Sequence, residues 1–260
     1  MGHQQGNSSD HSDAAWADLI TPDEWRVYKS ALDSVRQAGA RFMLGGAFGL
    51  AVYTNRWRDT KDLDLLVLPA DREKIVKALT DSGFADLHER QPYDRGWIYR
   101  SIRDEFIVDV IWQMANRRAQ VDENWFAHAT RFELHSQELE IVPPEELLWH
   151  KLYVLQRERC DWPDVLNLLR TTSAKLDWKR LLERVGADAP LLAALLQVFI
   201  WLCPGRAKEI PPWVHQKLGL PAPNGSILED KERISLLDTR PWFGSPPQMA
   251  KSTTKNEEGK

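Results

Sequence analysis

Residues 62–69 read DLDLLVLP. The run alternates at first, becomes continuously apolar, and stops at Pro69, which is the pattern of a buried strand and commits the chain to a sheet. Side chains two apart on a strand point the same way, so Asp62 and Asp64 project from one face and Leu63 and Leu65 from the other. Two carboxylates held that close repel each other, and without compensation one takes up a proton at raised pKa. A hard divalent cation relieves the repulsion, and oxygen ligands on a rigid strand suit Mg²⁺. A third acid, Asp109, sits mid-strand in EFIVDVIW (105–112), between Val108 and Val110. An isolated charge there is costly unless it binds metal or pairs with a buried arginine such as Arg100. On adjacent strands, three carboxylates hold two ions roughly 3.5–4 Å apart, the apparatus of phosphoryl and nucleotidyl transfer.

The residues before the acids supply what a triphosphate needs. RFMLGG is a short strand ending on Gly45 and Gly46, and AFGLAVY is a helix. A glycine pair between strand and helix lets backbone amides approach an anion, and the helix N-terminus adds partial positive charge. TNRWRDTK is a polar, basic loop in which Arg58 and Thr60 offer further donors to phosphate.

The remaining pattern gives an α+β chain: a small mixed β-sheet domain with helices, then a helical domain. Residues 1–20 form a flexible lead. Thr21, Pro22 and the acids after them start a helix that runs to about Gln37 and stops near Gly39. ADREKIVKALTDSG is a second helix, capped at Gly83. WIYRSI and EFIVDVIW form a hairpin around Arg103 and Asp104, and RFELHSQELEIVP holds two more short strands around His135–Gln137. The sheet domain spans 21–142. Four helical patterns follow over 143–204: EELLWHKLYVLQRER, WPDVLNLLRTT, DWKRLLERVG and APLLAALLQVFIWLC. Residues 205–260 read as an irregular, proline-rich tail whose end, KSTTKNEEGK, is disordered.

Two glycines, a helix, R-x-T-x-D-L-D (Arg58, Thr60, Asp62, Asp64) and a lone Asp109 in a later strand resemble the nucleotidyltransferase superfamily of DNA polymerase β. More narrowly, the chain resembles its small bacterial branch, with AbiEii-type toxins and lincosamide and aminoglycoside nucleotidyltransferases. VPPEELLWHKLYVLQRERCDWPDVLNLL strengthens the resemblance through Pro144, Glu145, Glu146, Leu147, Lys151, Arg157, Arg159, Asp161 and Asp164. It departs at Cys160, where the branch usually carries a basic residue. The resemblance covers residues 41–170. It implies a metal-dependent nucleotidyltransferase with Asp62, Asp64 and Asp109 as catalytic metal ligands and a nucleoside triphosphate as substrate. It further implies that Lys151 reaches the nucleotide phosphates, and that Asp161 or Asp164 orients Lys151 or binds the acceptor.

The acceptor stays open: a small hydroxylated molecule, a tRNA 3′ end or a protein side chain. A tRNA acceptor requires a basic surface, for which Arg117, Arg118 and Arg131 are the candidates. The alternative class is a catalytically degenerate nucleotidyltransferase fold that binds or regulates; a helical partner protein with a Trp-rich interface is a third. A net charge of −4 gives no global pull toward nucleic acid. Two cysteines without metal-type spacing point to a reduced, cytoplasmic protein, and no apolar run reaches the length expected of a membrane span. No other histidine spacing suggests zinc, and His150 receives no role.

Overall fold

The computed structural model describes residues 15–58 and 60–237. The lead before residue 15 and the KSTTKNEEGK terminus lie outside the described residues. α1 (Pro22–Gln37) begins as its sequence predicts, with a reciprocal capping box between Thr21 and Glu24. β1 (Met43–Leu44) passes through Gly45 into α2 (Gly46–Thr54), and the loop over 55–61 returns the chain to β2 (Asp62–Leu66). α3 (Arg72–Asp81), β3 (Ala85–Asp86), β4 (Ile98–Arg103) and β5 (Phe106–Ile111) follow. A short α4 (Glu123–Ala127) precedes β6 (Thr130–Leu134) and β7 (Gln137–Ile141). The helical half holds α5 (Pro144–Leu152), α6 (Trp162–Thr172), α7 (Trp178–Val185) and α8 (Ala189–Leu202), then α9 (Pro212–Leu218) and α10 (Lys231–Leu237).

The seven strands form one mixed sheet in the order β3-β4-β5-β2-β1-β7-β6. β2 runs parallel to β5, and β1 parallel to β7; the other pairs are antiparallel. The chain is therefore the α+β sheet-plus-helices protein that its sequence predicts. Alternation along β2 and β5 sorts their side chains cleanly. Leu63, Leu65, Val108 and Val110 join α1 and α3 in one apolar cluster. Leu66 and Ile111 face the other way and join Ile98 and the side chains of α5–α8 in a second. Asp62, Asp64 and Asp109 lie on this second face, next to the seam between sheet and helices.

Several sequence expectations change. Residues 15–20 are not a loose lead: Trp16 is 2% exposed and stacks on Trp57 at 5.5 Å. A large ring pays for ordering a terminus that polar residues alone would leave free. The hairpin turn moves by one residue, because Arg103 pairs with Phe106 and Asp104 takes the left-handed conformation (φ 57°). Aspartate tolerates that region better than arginine does. The helix expected to run through QRER ends at Leu152. Residues 156–159 offer no apolar stripe to bury, and the chain instead makes a loop closed by a bridge between Leu155 and Cys160. The tail is not wholly irregular, since α9 and α10 fall within it. Finally, Trp178–Leu202 is long and apolar enough to span a membrane by composition, with mean hydropathy 1.8. In the fold this stretch is α7 and α8 joined at Gly186–Asp188, with Leu192, Leu195, Leu196 and Phe199 fully buried in the protein's own core.

Candidate active site

The parallel pairing of β2 with β5 puts Asp64 directly beside Asp109, and the β4–β5 hairpin puts Arg100 on the far side of Asp109. One rung of the sheet thus reads Asp64, Asp109, Arg100. Arg100 lies back over its neighbours: its Nε donates to Asp109 Oδ1 at 2.9 Å and Oδ2 at 3.2 Å. Its Nη2 is 3.6 Å from Asp62 Oδ2. Thr60 Oγ1 donates to Asp62 Oδ1 at 3.4 Å. Asp64 has no hydrogen-bond or ion-pair partner for its carboxylate among the described residues.

These rungs floor a cleft of about 720 Å³. Gly46, Arg58, Thr60, Lys151, Arg159 and Asp161 line its charged half. The next rung along the strands, Leu66–Ile111–Ile98, floors an apolar half walled by Tyr93, Trp97, Met114 and Tyr153.

Gly46 and Gly45 serve different ends. Gly46, the first residue of α2, has φ +50°, and a Cβ there would stand 1.6 Å from Asp64 Oδ2. A Cβ on Gly45 would instead strike Leu66 Cδ1 at 2.3 Å, and Gly45 does not line the cleft. Gly46 brings backbone against the Asp64 carboxylate; Gly45 donates its N–H to the Asp64 carbonyl at 3.0 Å and is bare for packing against Leu66. Gly46→Ala is expected to push the Asp64 carboxylate aside and to cost about 1–2 kcal/mol for the left-handed backbone alone. Urea unfolding of the variant, beside its triphosphate affinity, checks this; unchanged values for both would refute it.

Lys151, on α5, is 3% exposed, and its Nζ donates to Asp161 Oδ2 at 2.8 Å and Asp164 Oδ2 at 2.9 Å. The loop over 153–160 folds back so that Arg159 clamps Asp161 with Nε (2.9 Å) and Nη2 (3.1 Å). Arg58 reaches Asp164 at 3.2 Å from the opposite wall. Both aspartates therefore hold Lys151, and Asp164 does so from outside the cleft lining. Arg157 points elsewhere, with its side chain 95% exposed.

The electrostatics follow from this layout. Burial pushes the Asp64 pKa well above the usual carboxylate range, and the charges of Asp109 and Asp62 add to the rise. Burial also raises Asp109, although Arg100 opposes it. Asp161 goes the other way: burial would raise it, but Arg159 and Lys151 outweigh that and hold it far below the usual range. Burial works against the Arg100 charge, and Asp109, Asp62 and Asp64 more than restore it.

Among the described residues, no three His, Cys, Asp or Glu side chains are gathered as a ready metal centre. The expected trio is adjacent, but Arg100 sits between Asp62 and Asp109. The donors nevertheless fit a hard cation: they are all carboxylate oxygens, and Asp64 lies half-buried against Gly46 with no partner for its charge among the described residues.

Sequence patterning missed two residues here. Arg100 entered only as a possible partner of Asp109; the hairpin register makes it part of the site. His150 lines the cleft, is 9% exposed and stacks on Trp125, with its Nδ1 unpartnered. Burial, with Lys151 next to it, drives its pKa down to about 3. Its unfolded value is near 6.5, so between those values the unfolded chain binds a proton that the folded chain refuses. His150 thus removes stability as pH falls below about 6.5, by up to ~1.4 kcal/mol per pH unit. Asp64 and Asp109 have the opposite sign, so the effect is isolated as the difference between wild type and His150→Gln. That difference in unfolding free energy is expected to change steeply from pH 6.5 to 5; a flat difference would contradict a buried neutral imidazole.

No curated protein matches the chain. Among solved structures it aligns with antibiotic-resistance factor ANT(2″)-Ia at 13% identity, covering 68% of this chain and 96% of that one, with a TM-score of 0.47. It aligns with lincomycin-bound lincosamide antibiotic adenylyltransferase LnuA at 19% identity, 57% and 96% coverage and a TM-score of 0.41. An antigenic nucleotidyltransferase-like protein from Paracoccidioides brasiliensis aligns at 18% identity, 68% and 93% coverage and a TM-score of 0.41. The family model described as uncharacterised nucleotidyltransferase matches residues 40–203, which contain the glycines, the three acids and the Lys151 network. The chain belongs to this nucleotidyltransferase family.

Proposed function

We propose that the protein is a Mg²⁺-dependent enzyme that transfers a nucleoside monophosphate from a nucleoside triphosphate to a hydroxyl of a small acceptor, releasing pyrophosphate. The observation that carries this is the placement of Asp62, Asp64 and Asp109 on one sheet face beneath the α2 N-terminus. The Gly46 backbone and the first turn of α2 receive a phosphate. Arg58 and Arg159, whose side chains are 58% and 65% exposed, close on the phosphates from two walls. Lys151, fixed by Asp161 and Asp164, adds positive field behind them.

Asp62, Asp64 and Asp109 are the residues to hold divalent metal, which when bound polarises the α-phosphate and acidifies the acceptor hydroxyl. The acceptor oxygen forms its bond to the α-phosphorus as the bond to the β-phosphate oxygen breaks. The hydroxyl proton passes to the carboxylate cluster, and pyrophosphate leaves with the bonding pair. Positioning and charge neutralisation supply most of the rate.

A small acceptor is favoured over tRNA by the surface charges. Arg117 pairs with Asp94 at 3.5 Å, Arg118 with Asp188 at 3.9 Å and Arg131 with Glu138 at 3.8 Å. Each candidate for a phosphate-backbone contact is thus matched by an acid. The apolar half of the cleft, with Tyr93, Trp97 and Tyr153, suits a ring-bearing molecule. Incubation with each labelled triphosphate and Mg²⁺ in cell extract tests the proposal. Label is expected in the small-molecule fraction; label in RNA or protein would reassign the acceptor. No transfer, with no calorimetric heat for any of the four nucleotides, would refute the activity.

A further inference from the structure

We infer that Arg100 is a resident cation of the carboxylate cluster, so that the free enzyme takes up one divalent ion, on Asp64, rather than two. The inference rests on the proposed metal-dependent transfer and refines it. Register fixes the geometry: Arg100 on β4 faces Asp109 on β5, and Asp109 faces Asp64 on β2. The guanidinium serves both oxygens of Asp109, at 2.9 and 3.2 Å, and lies 3.6 Å from Asp62. It spans two of the three acids and leaves the third, Asp64, without a partner among the described residues.

Charge accounting gives the stoichiometry. Lys151 and Arg159 are matched by Asp161 and Asp164, so with a cation bound and all three acids ionised, three carboxylates against one guanidinium leave two negative charges, which a single divalent ion cancels. An arginine cannot shed its proton in a protein, so its share of the neutralisation is permanent. A second ion on Asp109 would have to displace Nε from both oxygens of a carboxylate that is 4% exposed. Such a pair is disrupted only at the cost of leaving a buried charge unmatched. Any further ion must therefore arrive with the triphosphate, which brings its own negative charge.

Mn²⁺ uptake by the full chain without nucleotide, followed by electron paramagnetic resonance, tests this. One tight ion per chain is expected for wild type and Arg100→Lys, and a second for Arg100→Gln. Two tight ions in wild type, or one in Arg100→Gln, overturns the inference. Should Arg100→Gln not fold, the acids decide: Asp64→Asn is expected to weaken Mn²⁺ by at least about tenfold, and Asp62→Asn by less. The reverse order overturns it. Wild type that binds Mn²⁺ only together with a non-hydrolysable triphosphate overturns this inference and leaves the proposed activity standing. Wild type that binds none in either condition removes both.

Discussion

Asp64→Asn lowers nucleotidyl transfer by about a thousandfold, on the scale of losing a principal charge-stabilising group, while leaving the protein at least as stable as wild type. The two halves of this result have one cause. Among the described residues Asp64 is the carboxylate of the cluster without a partner, and its pKa is pushed up by burial and by its acidic neighbours. Asparagine keeps the volume and removes the repelled charge, so the folded state loses strain while the cation loses its ligand. Stability bought at the expense of chemistry is the mark of a functional group held in an unfavourable place. Labelled transfer assays and thermal melting, run together without metal, decide it. Activity within tenfold of wild type would remove Asp64 from the chemistry, and a lower melting midpoint would mean that it supports the fold instead.

Lys151→Met destabilises the protein by about 3 kcal/mol, near the low end for breaking a buried ion pair. Lys151 bonds two aspartates whose side chains are 6% and 18% exposed. Without it, Asp161 keeps Arg159 and Asp164 keeps Arg58, which is why the loss stays near the low end. The Lys151→Met, Asp161→Asn double variant is expected to recover part of the loss, because it neutralises the buried Asp161 carboxylate that lost Lys151 and leaves unpaired only Arg159, whose side chain is 65% exposed. Urea midpoints of the cycle measure this. A single-variant loss under 1 kcal/mol would make Lys151 a solvated lysine, contrary to its burial.

What the residue pattern reveals of this site depends on the range of the contact. Asp62 and Asp64 share a face because strands have a period of two, and this needs no fold. That Asp64 stands beside Asp109 depends on β2 pairing with β5, a choice made over 40 residues of separation and invisible to local patterning. Arg100 is more instructive. With the turn at Arg103 and Asp104, it would face Ile107; the observed turn sets it against Asp109. One residue of turn geometry decides whether it belongs to the site. Gly45 and Gly46 look interchangeable in a sequence, and differ in backbone conformation and in meeting Leu66 or the Asp64 carboxylate. The loop over 153–160 was hidden for a different reason: the missing apolar stripe at 156–159 is only a weak stop signal after so helical a run as 144–152, and the fold-back is fixed by Asp161 bonding Lys151 while Arg159 clamps Asp161.

The apolar cluster that joins Leu66, Ile98 and Ile111 to α5–α8 has a practical corollary. Cutting the polypeptide after residue 142 would strip the lid from a greasy floor lying beside the acids. The excised fragment would stick to itself instead of yielding a minimal catalyst, and the intact chain should denature in a single cooperative step.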